Sequence, residues 1–283
     1  MATIPYITGF TVKPLRVSLS GTVLFTDGAD DIIPNQIECE AYGYTYDKNT
    51  GTCSTFTLNT NLDTNVSNVN NTLKGSQNTT ETGANNNLIL GENNTVRSIS
   101  RNNLIVGSSN QVTNEVNNTY VVGTLGLSTA TNSIVLGGNG STDVLGERQS
   151  IRLMFGVRTT AGSTVASYLN NTTDSAFAIP TNSIMYFHAD VIAVRVGGTA
   201  DAGHVGDYAS WVERGVVINK EGTLSINRER DAIKNSGVVT DWRPTGAVDG
   251  TNFVMNVRGE TNTIIEWNSN ITFTEIKTRV ALS

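Results

Sequence analysis

His188 and His204 are the only imidazoles in the chain, and each has a carboxylate close by in sequence, Asp190 and Asp207. An acid–base catalyst, an activated nucleophile or a metal site would be sought here first. Residues two apart on a strand share a face, so His188 and Asp190 read as an imidazole–carboxylate pair in a core or subunit contact. His204 lies in the loop Gly203-His204-Val205-Gly206-Asp207-Tyr208. With Asp207 it could form half of a catalytic or metal site. No cysteine or third ligand stands at metal-binding spacing, however, and a satisfied loop histidine is the reading adopted.

The carboxylates Asp143, Asp174, Asp190, Asp201 and Asp207 are scattered, and there is no Gly-x-Ser-x-Gly elbow, phosphate loop or dinucleotide fingerprint. No enzyme activity, cofactor or metal is expected. A glycan-degrading site stays open as an alternative, because its two acids can lie far apart in sequence.

Trp211, Trp242 and Trp267, with Tyr208 in a Gly-rich loop, could stack on sugars or fill a core. Trp267 sits in an alternating strand and reads as core. Trp242, next to Arg243 and Pro244 in a turn-like segment, is the candidate for ligand contact, and Trp242, Arg243 and Tyr208 form the candidate ligand-binding set.

The two cysteines flank a turn signal at Asp47-Lys48-Asn49-Thr50-Gly51. A hairpin with its loop at Lys48 to Gly51 sets Tyr46 opposite Cys53 and Cys39 opposite Thr60, a register that does not fit a direct cross-strand disulfide. Free thiols are expected, with a disulfide as the alternative.

The elements that must position these residues are strands. Charged residues are only 16% of the chain, glycine occurs 27 times, and Asn and Thr are abundant, a profile poor in helix formers. An all-β fold follows. The net charge of -6 and the absence of a basic run leave no footprint for nucleic acid. No apolar stretch approaches a membrane span. Met1-Ala2-Thr3-Ile4-Pro5 lacks the regions of a secretory signal, so synthesis in a host cytoplasm without membrane insertion is expected. Asn-x-Ser/Thr matches such as Asn65-Val66-Ser67 and Asn270-Ile271-Thr272 then read as chance.

The middle of the chain repeats itself. Asn70-Asn71-Thr72-Leu73-Lys74-Gly75, Asn86-Asn87-Leu88-Ile89-Leu90-Gly91, Asn102-Asn103-Leu104-Ile105-Val106-Gly107, Asn118-Thr119-Tyr120-Val121-Val122-Gly123 and Asn132-Ser133-Ile134-Val135-Leu136-Gly137 place glycines at steps of 16, 16, 16 and 14 residues. A fixed period of this kind means stacked identical units. Each unit reads as a strand, a corner at Gly75, Gly91, Gly107, Gly123 or Gly137, and a second short strand, as in Gly91-Glu92-Asn93-Asn94-Thr95-Val96. Five turns at about 4.8 Å each give a stem of roughly 24 Å. Asn70, Asn86, Asn102, Asn118 and Asn132 are expected to stack as an amide ladder with no ligand role. Leu88, Leu90, Leu104, Val106, Tyr120, Val122, Ile134 and Leu136 point to one side of their strands, and Ile89, Ile105, Val121 and Val135 to the other. Both sides are apolar. One can be the coil interior, and the other needs a neighbour, most economically a second copy of the chain.

This repeat, a polar pair, three apolar residues and Gly followed by Gly-x-x-Asn-x-Val, resembles the left-handed β-roll of trimeric autotransporter adhesin heads, a motif also used in bacteriophage fibres. Asn78, Asn94 and Asn110 stand where those proteins usually carry Ser, and the signal and anchor of the adhesins are not seen, which favours the phage version. The resemblance spans residues 63–145 and implies a parallel homotrimer.

Residues 1–62 carry short β-runs, Phe10 to Val17, Gly21 to Phe25, Tyr42 to Tyr46 and Ser54 to Leu58, and read as a small β-module for attachment to the virion. From residue 146 to 283 the period vanishes. Longer runs appear at Ile184 to Val196, Tyr208 to Asn219, Gly222 to Ile226, Asn252 to Arg258 and Asn262 to Ile276, read as a β-sandwich knob. The closing pattern Val257-Arg258-Gly259-Glu260, Ile264-Ile265-Glu266-Trp267 and Thr272-Phe273-Thr274-Glu275-Ile276 resembles C-terminal domains of phage fibre and tail-associated proteins. The expectation is a trimeric fibre or spike, on head or tail, exposed on the virion, docking on other virion proteins and binding a bacterial surface glycan or protein. A purely structural head-decoration or connector protein is the alternative.

Overall fold

The structure is a computed structural model that describes residues 12–18, 21–48, 50–55, 70–139, 142, 144–200, 203–236, 239 and 241–278. Phe10, Asn49, the run from Phe56 to Leu58, the Asn65-Val66-Ser67 match, Asp143 and Asp201 lie outside the described residues. The architecture is all-β with a single short helix among the described residues, and the chain divides into two compact units, Met1–Asp63 and Thr64–Ser283.

In the first unit, strands Lys13–Val17, Val23–Thr26 and Asp31–Ile32 form an antiparallel sheet, and Thr45–Asp47 pairs with Thr52–Ser54 as a hairpin. Between them Gln36–Ala41 is helical. Asn35 caps it: the Asn35 side chain accepts from the Glu38 N–H at 2.9 Å, and the Glu38 carboxylate accepts from the Asn35 N–H at 2.9 Å. This reciprocal box satisfies two amides that a helix start leaves without partners. Phe25 fills the centre, in edge contact with Tyr42 and Tyr44 at 5.9 and 6.2 Å.

Cys39 and Cys53 are joined in a disulfide with their Cα atoms 5.7 Å apart, which corrects the expectation of free thiols. The hairpin register is as read, with Tyr46 opposite Cys53. Cys39, however, is the buried residue of the helix rather than part of a strand, and the helix lays it over Cys53.

In the second unit the repeats form a flattened coil. Thr72–Ser76, Leu88–Glu92, Leu104–Ser108, Tyr120–Thr124 and Ile134–Gly138 stack in parallel, in register glycine upon glycine. Thr79–Thr80, Thr95–Val96, Gln111–Val112 and Leu127–Ser128 stack as a second sheet. Ile89, Ile105, Val121 and Val135, with Val96 and Val112 from the second sheet, are fully buried between the two.

Two details of the repeat differ from the reading above. The glycines are not corners. Each is the fourth residue of a five-residue strand, and an added Cβ at Gly107 would lie 1.9 Å from the Gly123 carbonyl oxygen. Asn70, Asn86, Asn102, Asn118 and Asn132 do not form the main ladder either; they are exposed and take the left-handed corner, with φ of 56 to 60°. Asparagine tolerates that conformation better than other residues with a Cβ. The ladder belongs to their neighbours: Asn87 Nδ2 donates to Asn71 Oδ1 at 2.9 Å, Asn103 Nδ2 to Asn87 Oδ1 at 3.0 Å, and Thr119 Oγ1 to Asn103 Oδ1 at 3.0 Å. A second ladder runs through Asn78, Asn94 and Asn110, ending where the Gly126 N–H donates to Asn110 Oδ1 at 2.8 Å.

The last strand of the coil, Ile134–Gly138, pairs antiparallel with Arg148–Thr159, so one sheet runs on from the coil through Arg148–Thr159, Thr263–Lys277, Ser183–Gly198, Tyr208–Lys220 and Thr223–Asn235. Over it lies a second layer of Thr164–Leu169, Asn252–Arg258, Arg243–Asp249 and the short Phe177–Ala178. Phe253 of that layer meets Phe155, Phe187 and Phe273 of the main sheet with ring centroids 6.1, 5.1 and 5.1 Å away, which locates the core.

Candidate functional surface

The continuous sheet has one covered and one open side. Along Arg148–Thr159, Ser183–Gly198 and Thr263–Lys277 the side chains alternate between core and solvent, as the pleat requires. Register then defines rows on the open side. One passes through Leu90, Val106, Val122 and Leu136 to Ser150, Thr274, Tyr186, Val216 and Asn227. The adjacent row passes through Leu88, Leu104, Tyr120 and Ile134 to Arg152, Thr272, His188, Arg214 and Glu229.

The chemistry of both rows changes where the coil ends. On the coil they are apolar from Leu88–Glu92 to Ile134–Gly138, while Thr72 and Lys74 hold the same positions on the first strand, and Leu88, Tyr120, Ile134 and Leu136 stand 37, 42, 42 and 54% exposed. The coil's other outer face is polar over three turns, with Leu127 following at the fourth: Thr79 and Thr95 share a hydroxyl hydrogen bond of 3.1 Å, and Gln111 follows in register. A coil with one oily and one polar outer face is built to be covered on the oily side.

Beyond the coil the open face becomes mixed, with polar and charged groups beside exposed apolar ones such as Met154, Ile184, Ile192 and Ile276. His188 Nε2 lies 3.2 Å from Asp190 Oδ1, the pairing read from their spacing, but both side chains are solvent-exposed, 43 and 61%. They are not core. Arg152 donates to Asn270 at 2.7 Å, and Arg214 is held by Glu229 and by Asp231, the latter at 3.4 Å. His204 lies in its loop with its backbone N–H donated to the Asp207 carboxylate.

The candidate ligand set is not assembled at the surface. Trp242 is buried, its indole N–H donating to Glu260 at 3.1 Å, and it packs on Trp267, which in turn stacks on Trp211 at 5.6 Å. Arg243 points outward from the start of its strand, and Tyr208 is half-buried at the start of another. A platform sharing all three does not form, because the turn-like segment around Trp242 folds its indole into the core. Pairing with the Thr159 hydroxyl at 3.0 Å likewise satisfies Trp267 inside.

Glu213 and Glu275, the most deeply buried carboxyls among the described residues, escaped the sequence reading. Glu213 is fully buried among the second-layer strands; one oxygen accepts the Gly246 N–H at 2.7 Å and the other has no hydrogen-bond partner. Burial pushes its carboxyl above the usual range, with Gly246, Arg228 and Arg230 pulling the other way. Glu275 closes the end of the coil: the Leu127 N–H donates to Gln149 Oε1 at 2.9 Å, and Gln149 Nε2 donates to Glu275 at 2.7 Å. Burial pushes Glu275 up to about 7, opposed by the Gln149 amide and by Lys277. Strict alternation along both strands marks these positions as inward. Nothing in the sequence marks their partners.

Among the described residues no group of His, Cys, Asp and Glu could hold a metal, and no helix is long and apolar enough to cross a membrane.

No protein-family model and no curated protein matches the chain. Among solved structures it is similar to the tailspike protein of Acinetobacter baumannii phage AM24, at 11% identity over 75% of this chain and 48% of that one, with a TM-score of 0.26. The tailspike protein of Acinetobacter phage vB_ApiP_P1 follows at 11% identity over 74% and 55%, TM-score 0.27. Tailspike gp49 of Acinetobacter baumannii bacteriophage Fri1, described as a capsular polysaccharide depolymerase, gives 6% over 71% and 46%, TM-score 0.24. The chain spans about half the length of these proteins. At such TM-scores the likenesses assign neither a fold family nor an activity to this chain.

Proposed function

We propose that this chain is the subunit of a short bacteriophage fibre or spike, a parallel homotrimer on head or tail that attaches to other virion proteins through residues 1–62. Its C-terminal strands meet a bacterial surface glycan or protein. It works by binding, without catalysis, and several weak contacts on one stiff stem exceed a single contact by about a hundredfold or more. The observation that carries the reading is the exposed apolar face of the coil, two rows deep over the four stacked strands from Leu88–Glu92 to Ile134–Gly138. A lone chain would leave it wet; sister chains laid side by side would cover it with the same residues they offer.

Sedimentation of the purified full chain tests this. The expected particle has three times the 30.2 kDa subunit mass, and replacing Tyr120 and Leu136 together by Glu should release folded single chains. A monomer at micromolar concentration for the unaltered protein overturns the proposal.

The burial of Trp242 favours a second reading, a purely structural decoration or connector protein, since the expected ligand platform is inside the core. Labelling of the C-terminal strands on intact particles separates the two: an accessible label supports attachment, a masked one the connector.

A further inference from the structure

On the open face of the sheet, where Ser183–Gly198, Tyr208–Lys220 and Thr223–Asn235 run side by side, lies a hollow of about 760 Å³. Its floor is Val216 and Ile218, one wall is the Tyr186 ring, and Ser225 and Asn227 line the side opposite. Tyr186 is 44% exposed, and Arg214 stands beside it, held by Glu229 and Asp231.

Three features narrow what fits. An exposed aromatic ring over an aliphatic floor offers a flat apolar surface with hydrogen-bonding groups at its edge, the make-up of a small-molecule pocket. The cations are already matched: Arg214 by two carboxylates, and Arg228 by the buried Glu213 at 3.5 Å. An anionic ligand would have to displace them. Sister chains are the third consideration. The centre of a subunit seam is depleted of charge, whereas this hollow is rimmed by an Arg–Glu–Asp network. Four strand steps separate it from the last coil strand, and an average sheet twist of roughly 20–25° per step would turn its floor by about 80–100° from the coil's apolar face.

We propose that this hollow is a binding site for an uncharged sugar chain, with a pyranose ring laid on Tyr186 and its hydroxyls met by Ser225, Asn227 and the carboxylates that hold Arg214. The assignment rests on the attachment reading above and gives it a place on the molecule. Sugars present both a C–H face and a rim of hydroxyls, which is the pairing the hollow offers.

The probe is an array of immobilised oligosaccharides, neutral ones built of glucose, galactose, rhamnose or N-acetylglucosamine beside anionic ones bearing uronate or sialate, exposed to the purified full chain. Retention is expected on a neutral member. Tyr186→Ala should lower apparent affinity at least about tenfold, and Tyr186→Phe should keep it within about twofold. Ile192→Ala, on the same open face, should leave it unchanged. Retention on anionic members alone overturns the assignment, as does neutral binding indifferent to Tyr186→Ala. A changed sedimentation mass for Tyr186→Ala would make the hollow a subunit contact and overturn it too. Protein that coats host cells yet ignores every neutral sugar sinks this site and leaves attachment standing.

Discussion

Substituting Gly107 by Ala adds one carbon to the coil, and the geometry says where it goes. The new Cβ would lie 1.9 Å from the Gly123 carbonyl oxygen and 2.9 Å from its carbon. The strand above must retreat by about 1.1 Å before that contact reaches even 3.0 Å. Hydrogen bonds such as Leu104 N–H to the Thr119 carbonyl, 2.9 Å, cannot follow so far without weakening. Gly107 also has φ of +131°, which side-chain-bearing residues rarely adopt. Backbone strain of about 1–3 kcal/mol and overpacking of about 1–3 kcal/mol combine to roughly 2–6 kcal/mol of lost stability. For a unit of this size that is a fall in melting temperature of roughly 4–24 °C. Gly138→Ala is the matched control, since its added Cβ meets nothing closer than the Arg148 carbonyl oxygen at 3.6 Å. Thermal unfolding followed by circular dichroism reads both. A loss below about 1 kcal/mol for Gly107→Ala, equal to that of Gly138→Ala, would refute the stacking argument.

Adjacent asparagines should behave oppositely: Asn103→Ala strands the Val116 carbonyl and the Thr119 N–H and should cost about 2–4 kcal/mol, whereas Asn102→Gly, at the left-handed corner, should be within about 0.5 kcal/mol of neutral; denaturant midpoints compare them. Cys53→Ser opens the link to Cys39 across a sequence separation of 14 and should destabilise the first unit by about 3 kcal/mol, with reductant reproducing the loss in the parent and doing nothing in the variant. Glu275 binds its proton more tightly folded than unfolded, because its carboxyl is raised from 4.5 to about 7. That stability is complete below pH 4.5 and is lost as pH rises through 7, at most about 3 kcal/mol. Asp27 and Glu81, lowered by their hydrogen bonds, act in the other direction, so the difference between parent and Glu275→Gln isolates the effect: the variant should lose the decline between pH 5 and 8, and parallel pH profiles would contradict the assignment.

The coil was legible in the sequence because its order is local and repeated: a period of 16 residues, an apolar triplet and a glycine specify a strand stacked on its own copy. The apolar rows inside and outside followed from alternation alone. The helix Gln36–Ala41 also left a signal, the Asn35…Glu38 box, outweighed by the surrounding β-runs. Periodicity does not say which asparagine of a pair turns inward. That is decided by which one must take positive φ to close the corner, leaving its neighbour aimed at the interior. Thr223–Asn235 could not be read past Ile226, for Asn227 to Asn235 are exposed and largely charged. A hairpin partner holds it as a strand rather than a core.

What the sequence by itself determined is an all-β chain whose repeats stack and whose coil keeps an apolar side uncovered. Tertiary structure alone decided that Cys39 meets Cys53, that Trp242 faces Trp267 rather than solvent, and that the coil's sheet runs on into the C-terminal strands to form the Tyr186 hollow. Each of these joins residues from separate elements, and no local propensity carries the distance between them.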